Sequence, residues 1–211
     1  MPPLARAFGR GVGDALGIAR AGELARDQAP PGSLARAELR PSRLEALYEM
    51  AYLRTFVAWE VFLEDSFLRM MCGFESARWI PVRPVGVQRS RTLRQAQVGL
   101  YAGRGFILWH NPNTVIQRAQ QWFDNGPHET VIGSQLANLE WMAAVRHRVA
   151  HGSEDVRNQF DIASMQFAGR RYPASSAGRF LRDWNGTTRP PERWLETLGL
   201  SLVGLAQQIS P

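Results

Sequence analysis

The stretch at residues 41–73, PSRLEALYEMAYLRTFVAWEVFLEDSFLRMMCG, decides the fold class of this chain. From residue 44 onward its apolar side chains follow three- and four-residue steps: Leu44, Leu47, Tyr48, Ala51, Tyr52, Phe56, Trp59, Leu63, Phe67 and Met70. An α-helix turns once in about 3.6 residues, so this spacing places the apolar side chains on one face. The segment therefore predicts one long helix, which ends at Gly73, a residue type common just after helix ends.

Most of the remaining sequence also carries helical patterns. Helices are predicted at about 113–124, 129–151 and 153–167, and over the C-terminal stretch PERWLETLGLSLVGLAQQI at 191–209. Residues 75–112 differ, because they are basic and broken by proline, and they predict at most one short strand. The sequence therefore predicts an all-α bundle of four to five substantial helices, with an insertion at about 75–112 after the first long helix.

The first forty residues differ in composition from the rest of the chain. Residues 1–40 are rich in Ala, Gly, Arg and Pro, and their two weak helical pieces end at the breaker APPGS. We expect an N-terminal extension or linker over 1–40 and a helical domain over 41–211.

The charge of the chain makes polyanions natural partners without identifying one. All 25 basic residues are arginine, and against 19 acidic residues they give a net charge of +6. Arginine suits bidentate phosphate contacts, but a GC-rich genome that favours arginine codons explains the same composition. Cys72 is the only cysteine, and no apolar run approaches the roughly 18 residues of a membrane span. We expect a cytoplasmic protein without membrane association.

Two arginines and two histidines cluster in VRHRVAHG, residues 145–152, at the end of the helix predicted at 129–151. Three interpretations fit this cluster. Cationic side chains near a helix C-terminus interact favourably with the helix dipole and stay solvated. His147 and His151 have a zinc-binding spacing, although Arg148 would oppose a cation and no third ligand is evident. Histidine also moves protons near neutral pH, and arginine stabilises charge on a phosphate during transfer.

The hexamer RHRVAH at 146–151 resembles the Arg-x4-His form of the R-x4–6-H motif of the HEPN superfamily. HEPN domains are small all-α bundles, and many are metal-independent endoribonucleases of toxin–antitoxin, phage-defence and RNA-processing systems. AYLRTFVAWEVFLEDSFLRMMCG at 51–73 looks like the long first helix of such domains, and LEWMAAVRHRVAHG at 139–152 looks like their motif helix. The resemblance covers roughly residues 43–208.

The resemblance implies a HEPN-like bundle that cleaves RNA without a metal ion or other cofactor. It also implies a homodimer, in which motif helices from two subunits line one cleft. Arg146 would then stabilise the phosphorane charge, and His151 would move the proton of the attacking 2′-hydroxyl or of the leaving oxygen. His147 would assist the reaction or have a positioning role. The implied setting is a toxin or anti-phage effector, with a possible cognate antitoxin or regulatory protein.

Two non-enzymatic interpretations stand beside this one. The first is a non-catalytic RNA-binding or protein-assembly module with the same fold. The second is a structural interaction protein in which the cluster at 145–152 is a solvated helix end.

Further candidate residues lie around the cluster. Glu60 falls on the apolar side of the long helix, where a charge needs a partner, so it is a candidate to orient Arg146. A carboxylate that simply reaches solvent explains Glu60 equally well. Two groups are candidate RNA contacts, for which ordinary solvated charge is the alternative: Arg148, Arg157 and Asn158 beside the motif, and Arg89, Arg91 and Arg94 in the insertion. His110 and His128 have no partner visible in the sequence and predict turn or capping roles.

Overall fold

The structure, a computed structural model, describes residues 4–73, 83–84, 89–102 and 107–210. Ten α-helices lie in these ranges: α1 Leu4–Gln28, α2 Leu34–Glu38, α3 Pro41–Met71, α4 Leu93–Leu100, α5 Pro112–Trp122, α6 Pro127–Ser134, α7 Leu136–Ala150, α8 Glu154–Ala168, α9 Ala177–Arg182 and α10 Trp194–Ile209. The strands in the same ranges are four two-residue segments, and the all-α class predicted from the sequence is confirmed.

The short strands form two antiparallel pairs. β1, Arg83–Pro84, pairs with β2, Phe123–Asp124, and β3, Trp184–Asn185, pairs with β4, Glu192–Arg193. A short 3-10 turn, Pro173–Ser175, lies between α8 and α9. In the described part of the chain, none of the helices is both long and apolar enough to cross a membrane.

The chain divides into two compact units. The first unit comprises Met1–Gly9, Ala58–Glu140 and Leu202–Pro211, and the second comprises Arg10–Val57 and Trp141–Ser201.

The core of the first unit is aromatic. Phe67 on α3 is fully buried, and its ring centroid lies 4.7 Å from that of Phe123 and 5.6 Å from that of Trp109. Phe8 of α1 packs against Trp59 and Phe62 of α3 in the same way, at 5.8 and 5.6 Å. Tilted and edge-to-face ring pairs at these separations add to the free energy gained by removing the rings from water.

A chain of hydrogen bonds links part of the predicted insertion to α3. The indole nitrogen of Trp109 donates to the hydroxyl of Tyr101 at 3.2 Å, and that hydroxyl donates to Glu64 on α3 at 2.8 Å. A helix, α4, begins within the basic run RSRTLRQAQ at 89–97, and Thr92 caps its first turn by accepting from the backbone amide of Gln95. Residues 74–82, 85–88 and 103–106 of the insertion lie outside the described residues.

His128 is a core residue of the first unit. Its ring is fully buried, with Nε2 2.8 Å from the Ser66 hydroxyl, and that hydroxyl donates to the carbonyl of Leu63. We assign the ring proton to Nε2, because a Ser66 hydroxyl that donates to Leu63 can accept from the ring. The capping role predicted for His128 is wrong, because the N-cap of α6 is Gly126. Burial lowers the pKa of His128 to about 3, so the ring is neutral in the folded protein.

The second unit packs α3, α7, α8, α9 and α10 around buried aromatic side chains. Phe180 of α9 is fully buried and contacts Phe160 of α8 and Trp194 of α10, with centroids 6.0 and 5.5 Å apart. At Gly178 a Cβ would lie 2.5 Å from the carbonyl oxygen of Glu45, so α9 approaches α3 more closely than any side chain permits.

The segment predicted as an N-terminal extension contains a 25-residue helix, α1. Its buried side chains Val12, Ala15, Leu16 and Ala19 are spaced for one helical face, and the exposed ones alternate with them. At Gly22 a Cβ would lie 2.6 Å from the side chain of Leu47 on α3. Small residues that weaken the helical pattern in the sequence thus allow α1 to pack closely within the second unit.

Two helix boundaries differ from the predictions. The helix predicted at 129–151 is two helices, α6 and α7, separated at Gln135, whose amide bonds the carbonyl of Ile132 in a tighter turn. Gly133, two residues earlier in α6, has low helix propensity and favours a break here. The C-terminal helix starts at Trp194 rather than at 191, because Glu192–Arg193 forms a strand.

We expect the protein to lose stability as the pH falls from 6.5 toward 3, in part because of His128. The unfolded chain binds a proton at His128 in this window and the folded chain does not, so each pH unit costs about 1.4 kcal/mol. Urea unfolding at pH 4, 5 and 7 measures the slope. In His128→Gln, whose amide can donate to Ser66, the slope should be shallower by that amount. An unchanged slope would contradict the buried neutral ring.

Candidate active site

The last two turns of α7 carry the arginine–histidine cluster, and the packing of α7 fixes which of its side chains are buried. The fully buried Tyr52 on α3 donates its hydroxyl proton to the carbonyl of Met142 at 2.9 Å. Met142 and Val145 are buried beside it. Arg146 and His147 are therefore held at the boundary of the core and are half-buried, whereas His151, just past the end of α7, is exposed.

His147 and His151 lie one helical turn apart. The amide of His151 donates to the carbonyl of His147 at 2.8 Å, so the helical hydrogen bonding continues through His151. Their ring centroids are 6.3 Å apart, and the ring planes are inclined at 70°. The two imidazoles thus form a pair in which one ring is half-buried and the other faces solvent.

The pKa of His147 is lowered from its usual 6.5. Burial of the ring is the main cause, and the positive charges of Arg146 and His151 add to it. At neutral pH His147 is therefore an unprotonated imidazole that can accept a proton. Arg146 is the residue next to His147 in the chain, and both side chains are half-buried.

Arg148 directs its guanidinium at the backbone of the second unit. Nε donates to the carbonyl of Ser175 at 2.8 Å, Nη1 to that of His151 at 3.3 Å, and Nη2 to that of Ala174 at 3.4 Å. The sequence indicated only a solvated charge or an RNA contact here. An arginine three residues before the end of a helical segment can also bond its last carbonyls, and that signal was present in the sequence.

Glu60 belongs to the first unit, where its carboxylate lies 3.7 Å from Nδ1 of His110. The sequence showed no partner for His110, because the two residues are 50 positions apart. The orienting role of Glu60 toward Arg146 stays a prediction.

The candidate RNA contacts are exposed at two places in the chain. Arg157 and Asn158 lie on α8, in the second unit, and three arginines lie before and on α4, in the first: Arg89, Arg91 and Arg94. Their part in RNA binding stays a prediction. Trp184 is 54% exposed, with the guanidinium of Arg193 4.4 Å from its ring centroid.

The pair His147 and His151 has no third metal ligand in the described ranges of the chain. No group of three or more histidine, cysteine, aspartate or glutamate side chains in those ranges could hold a metal ion. The arrangement is suited instead to moving protons between two imidazoles and a substrate beside a fixed positive charge.

The chain matches no protein-family model, no curated protein and no solved structure. Its function is therefore inferred from the geometry of α7 and from the resemblance of the motif.

We expect His147 to titrate below pH 6.5 in an NMR titration of the imidazole signals. Arg146→Gln should raise the pKa of His147, because it removes a positive charge near the ring while leaving the ring where it is. The matched control is Arg157→Gln, which removes an exposed arginine of α8. Equal pKa values of His147 in the three proteins would show that the charge of Arg146 does not act on the ring.

Proposed function

We propose that this chain is a metal-independent endoribonuclease of HEPN type, a cytoplasmic toxin or anti-phage effector. The observation that carries the proposal is the pair of imidazoles 6.3 Å apart at the end of α7, beside the guanidinium of Arg146. The all-α fold and the likeness of residues 146–151 to the R-x4–6-H motif support it. The net charge of +6 suits a polyanionic substrate.

The two histidines supply the two proton transfers that RNA cleavage requires. His147, unprotonated at neutral pH, takes the proton of the ribose 2′-hydroxyl as that oxygen attacks the adjacent phosphorus. His151, which is exposed to solvent, donates a proton to the 5′-oxygen as its bond to phosphorus breaks. The products are a 2′,3′-cyclic phosphate and a 5′-hydroxyl end. Proton exchange with solvent returns both rings to their starting states.

Arg146 stabilises the charge that grows on the phosphate during this reaction. Its side chain is half-buried, and a charge held at the edge of the core acts more strongly than one in bulk water. A guanidinium also presents parallel donors to two phosphate oxygens. The same charge adds to the effect of burial that lowers the pKa of His147, so Arg146 serves the base and the transition state together.

We further propose that α3, α7 and α8 belong to a HEPN-like bundle and that the protein acts as a homodimer. Two motif helices would line one cleft, so that Arg146 and His151 from both subunits face the substrate. Arg157 and Asn158 of the second unit are proposed RNA contacts, and Arg89, Arg91 and Arg94 of the first unit are proposed contacts of their own. A cognate antitoxin or regulatory protein would restrain the enzyme.

We expect the purified protein to cleave RNA in the presence of EDTA. His147→Gln, His151→Ala and Arg146→Ala should each lower kcat by about 10²- to 10⁴-fold, because each removes a proton transfer or a stabilising charge. Arg171→Ala is the matched control, since this exposed arginine lies outside the cluster. Gel analysis of a labelled oligoribonucleotide measures the rates and shows the cyclic phosphate end.

Other outcomes of that experiment support other functions. Binding of RNA without cleavage supports a non-catalytic RNA-binding module. If the protein neither binds nor cleaves RNA, the result supports a structural interaction protein. Activity that disappears in EDTA and returns with zinc would exclude the metal-free mechanism.

We expect sedimentation velocity to show a dimer at working concentration. A monomer that still cleaves RNA would contradict the shared cleft while leaving the chemistry of His147 and His151 intact.

A further inference from the structure

A strained turn lies next to the candidate site. Ala174 and Ser175, in the turn Pro173–Ser175, have φ values of 53° and 49°. This left-handed conformation brings the Cβ close to the following carbonyl, so it is unfavourable for residues other than glycine. Two such residues in succession persist only where the surrounding structure holds them.

Arg148 holds the turn in this conformation. Two of its nitrogens donate to the carbonyls of Ala174 and Ser175, and a third donates to the carbonyl of His151. A guanidinium is planar and its donors diverge at fixed angles, so one side chain links the two segments in one relative position.

Side chains of α3 hold the segment that follows the turn. Glu49 accepts from the amide of Gly178 at 2.8 Å, and Glu45 accepts from the hydroxyl of Ser176 at 3.4 Å. Burial raises the pKa of Glu49, and the hydrogen bond from Gly178 and the positive charge of Arg148 oppose that rise. Glu45 and Glu49 therefore anchor the segment after the turn to α3. Arg148 anchors the turn itself to the end of α7.

We infer that Arg148 is a positioning residue, which uses the strained turn as a fixed support to hold His151 at the end of α7. The last carbonyls of a helix have no partner within the helix, and helix ends fray when those groups are left to solvent. Arg148 satisfies the carbonyl of His151 and ties it to a segment that is itself anchored. This inference rests on the proposed function for its effect on catalysis, but the hold on His151 is a property of the fold.

Hydrogen exchange measured by NMR tests the hold directly. The reporter is the His151 amide, which donates to the carbonyl of His147 at 2.8 Å. In Arg148→Ala and Arg148→Lys this amide should exchange on the order of tenfold faster, because a lysine ammonium cannot reproduce the fork that spans both segments. The matched control is Arg171→Ala, an exposed arginine outside the cluster, which should leave the exchange rate unchanged. Unchanged exchange in both Arg148 variants would overturn the inference, and Arg148→Lys decides it if Arg148→Ala does not fold.

Cleavage kinetics test the consequence for the site. Both Arg148 variants should lose kcat by roughly tenfold to a hundredfold with little change in KM, because a displaced acid slows chemistry without weakening binding. Millimolar guanidinium ion should restore part of the rate in Arg148→Ala but not in His151→Ala. Faster exchange at His151 with unchanged kcat would overturn the positioning role. If the parent protein cleaves no RNA, the proposed function fails, while hydrogen exchange still decides whether Arg148 holds His151.

Discussion

The hydrogen bond from the Tyr52 hydroxyl to the Met142 carbonyl determines how α7 lies against α3. Tyr52 is fully buried, and a buried hydroxyl left without a partner would cost about 1–3 kcal/mol, so the bond fixes both the register and the rotation of α7. Val145 then points into the core, and the next residues of the helix fall at its edge. The lowered pKa of His147 and the exposure of His151 both follow from this one register.

The candidate site depends on partial burial. A fully exposed His147 would have no desolvation to lower its pKa, and a fully buried one could not reach a substrate. At the edge of the core the ring is both unprotonated at neutral pH and accessible. His128 shows the other extreme, because complete burial lowers its pKa to about 3 and gives it a purely structural role.

Periodicity in the sequence was sufficient to predict α3, α5 and α8, because each buries one face and its apolar residues repeat at helical spacing. The hexamer at 146–151 is also a local pattern, because its arginine and histidine are five residues apart in the chain. Other features depend on residues far apart in the chain. The partners of His110 and His128 are 50 and 62 positions away, and Arg148 bonds carbonyls 26 and 27 positions away. Tertiary contacts of this kind leave no local pattern, so the sequence predicts only turn, capping or solvated-charge roles for these residues.

The close approach at Gly178 limits how this protein can change over evolution. Any side chain there would meet the backbone of Glu45, and backbone cannot rotate away as a side chain can. A substitution would have to move α9 together with the turn that α9 follows, and that turn is bonded to Arg148. A substitution at Gly178 would therefore also disturb the carboxyl end of α7. A glycine with no chemistry of its own would be expected to persist in descendants for as long as the arginine–histidine cluster does.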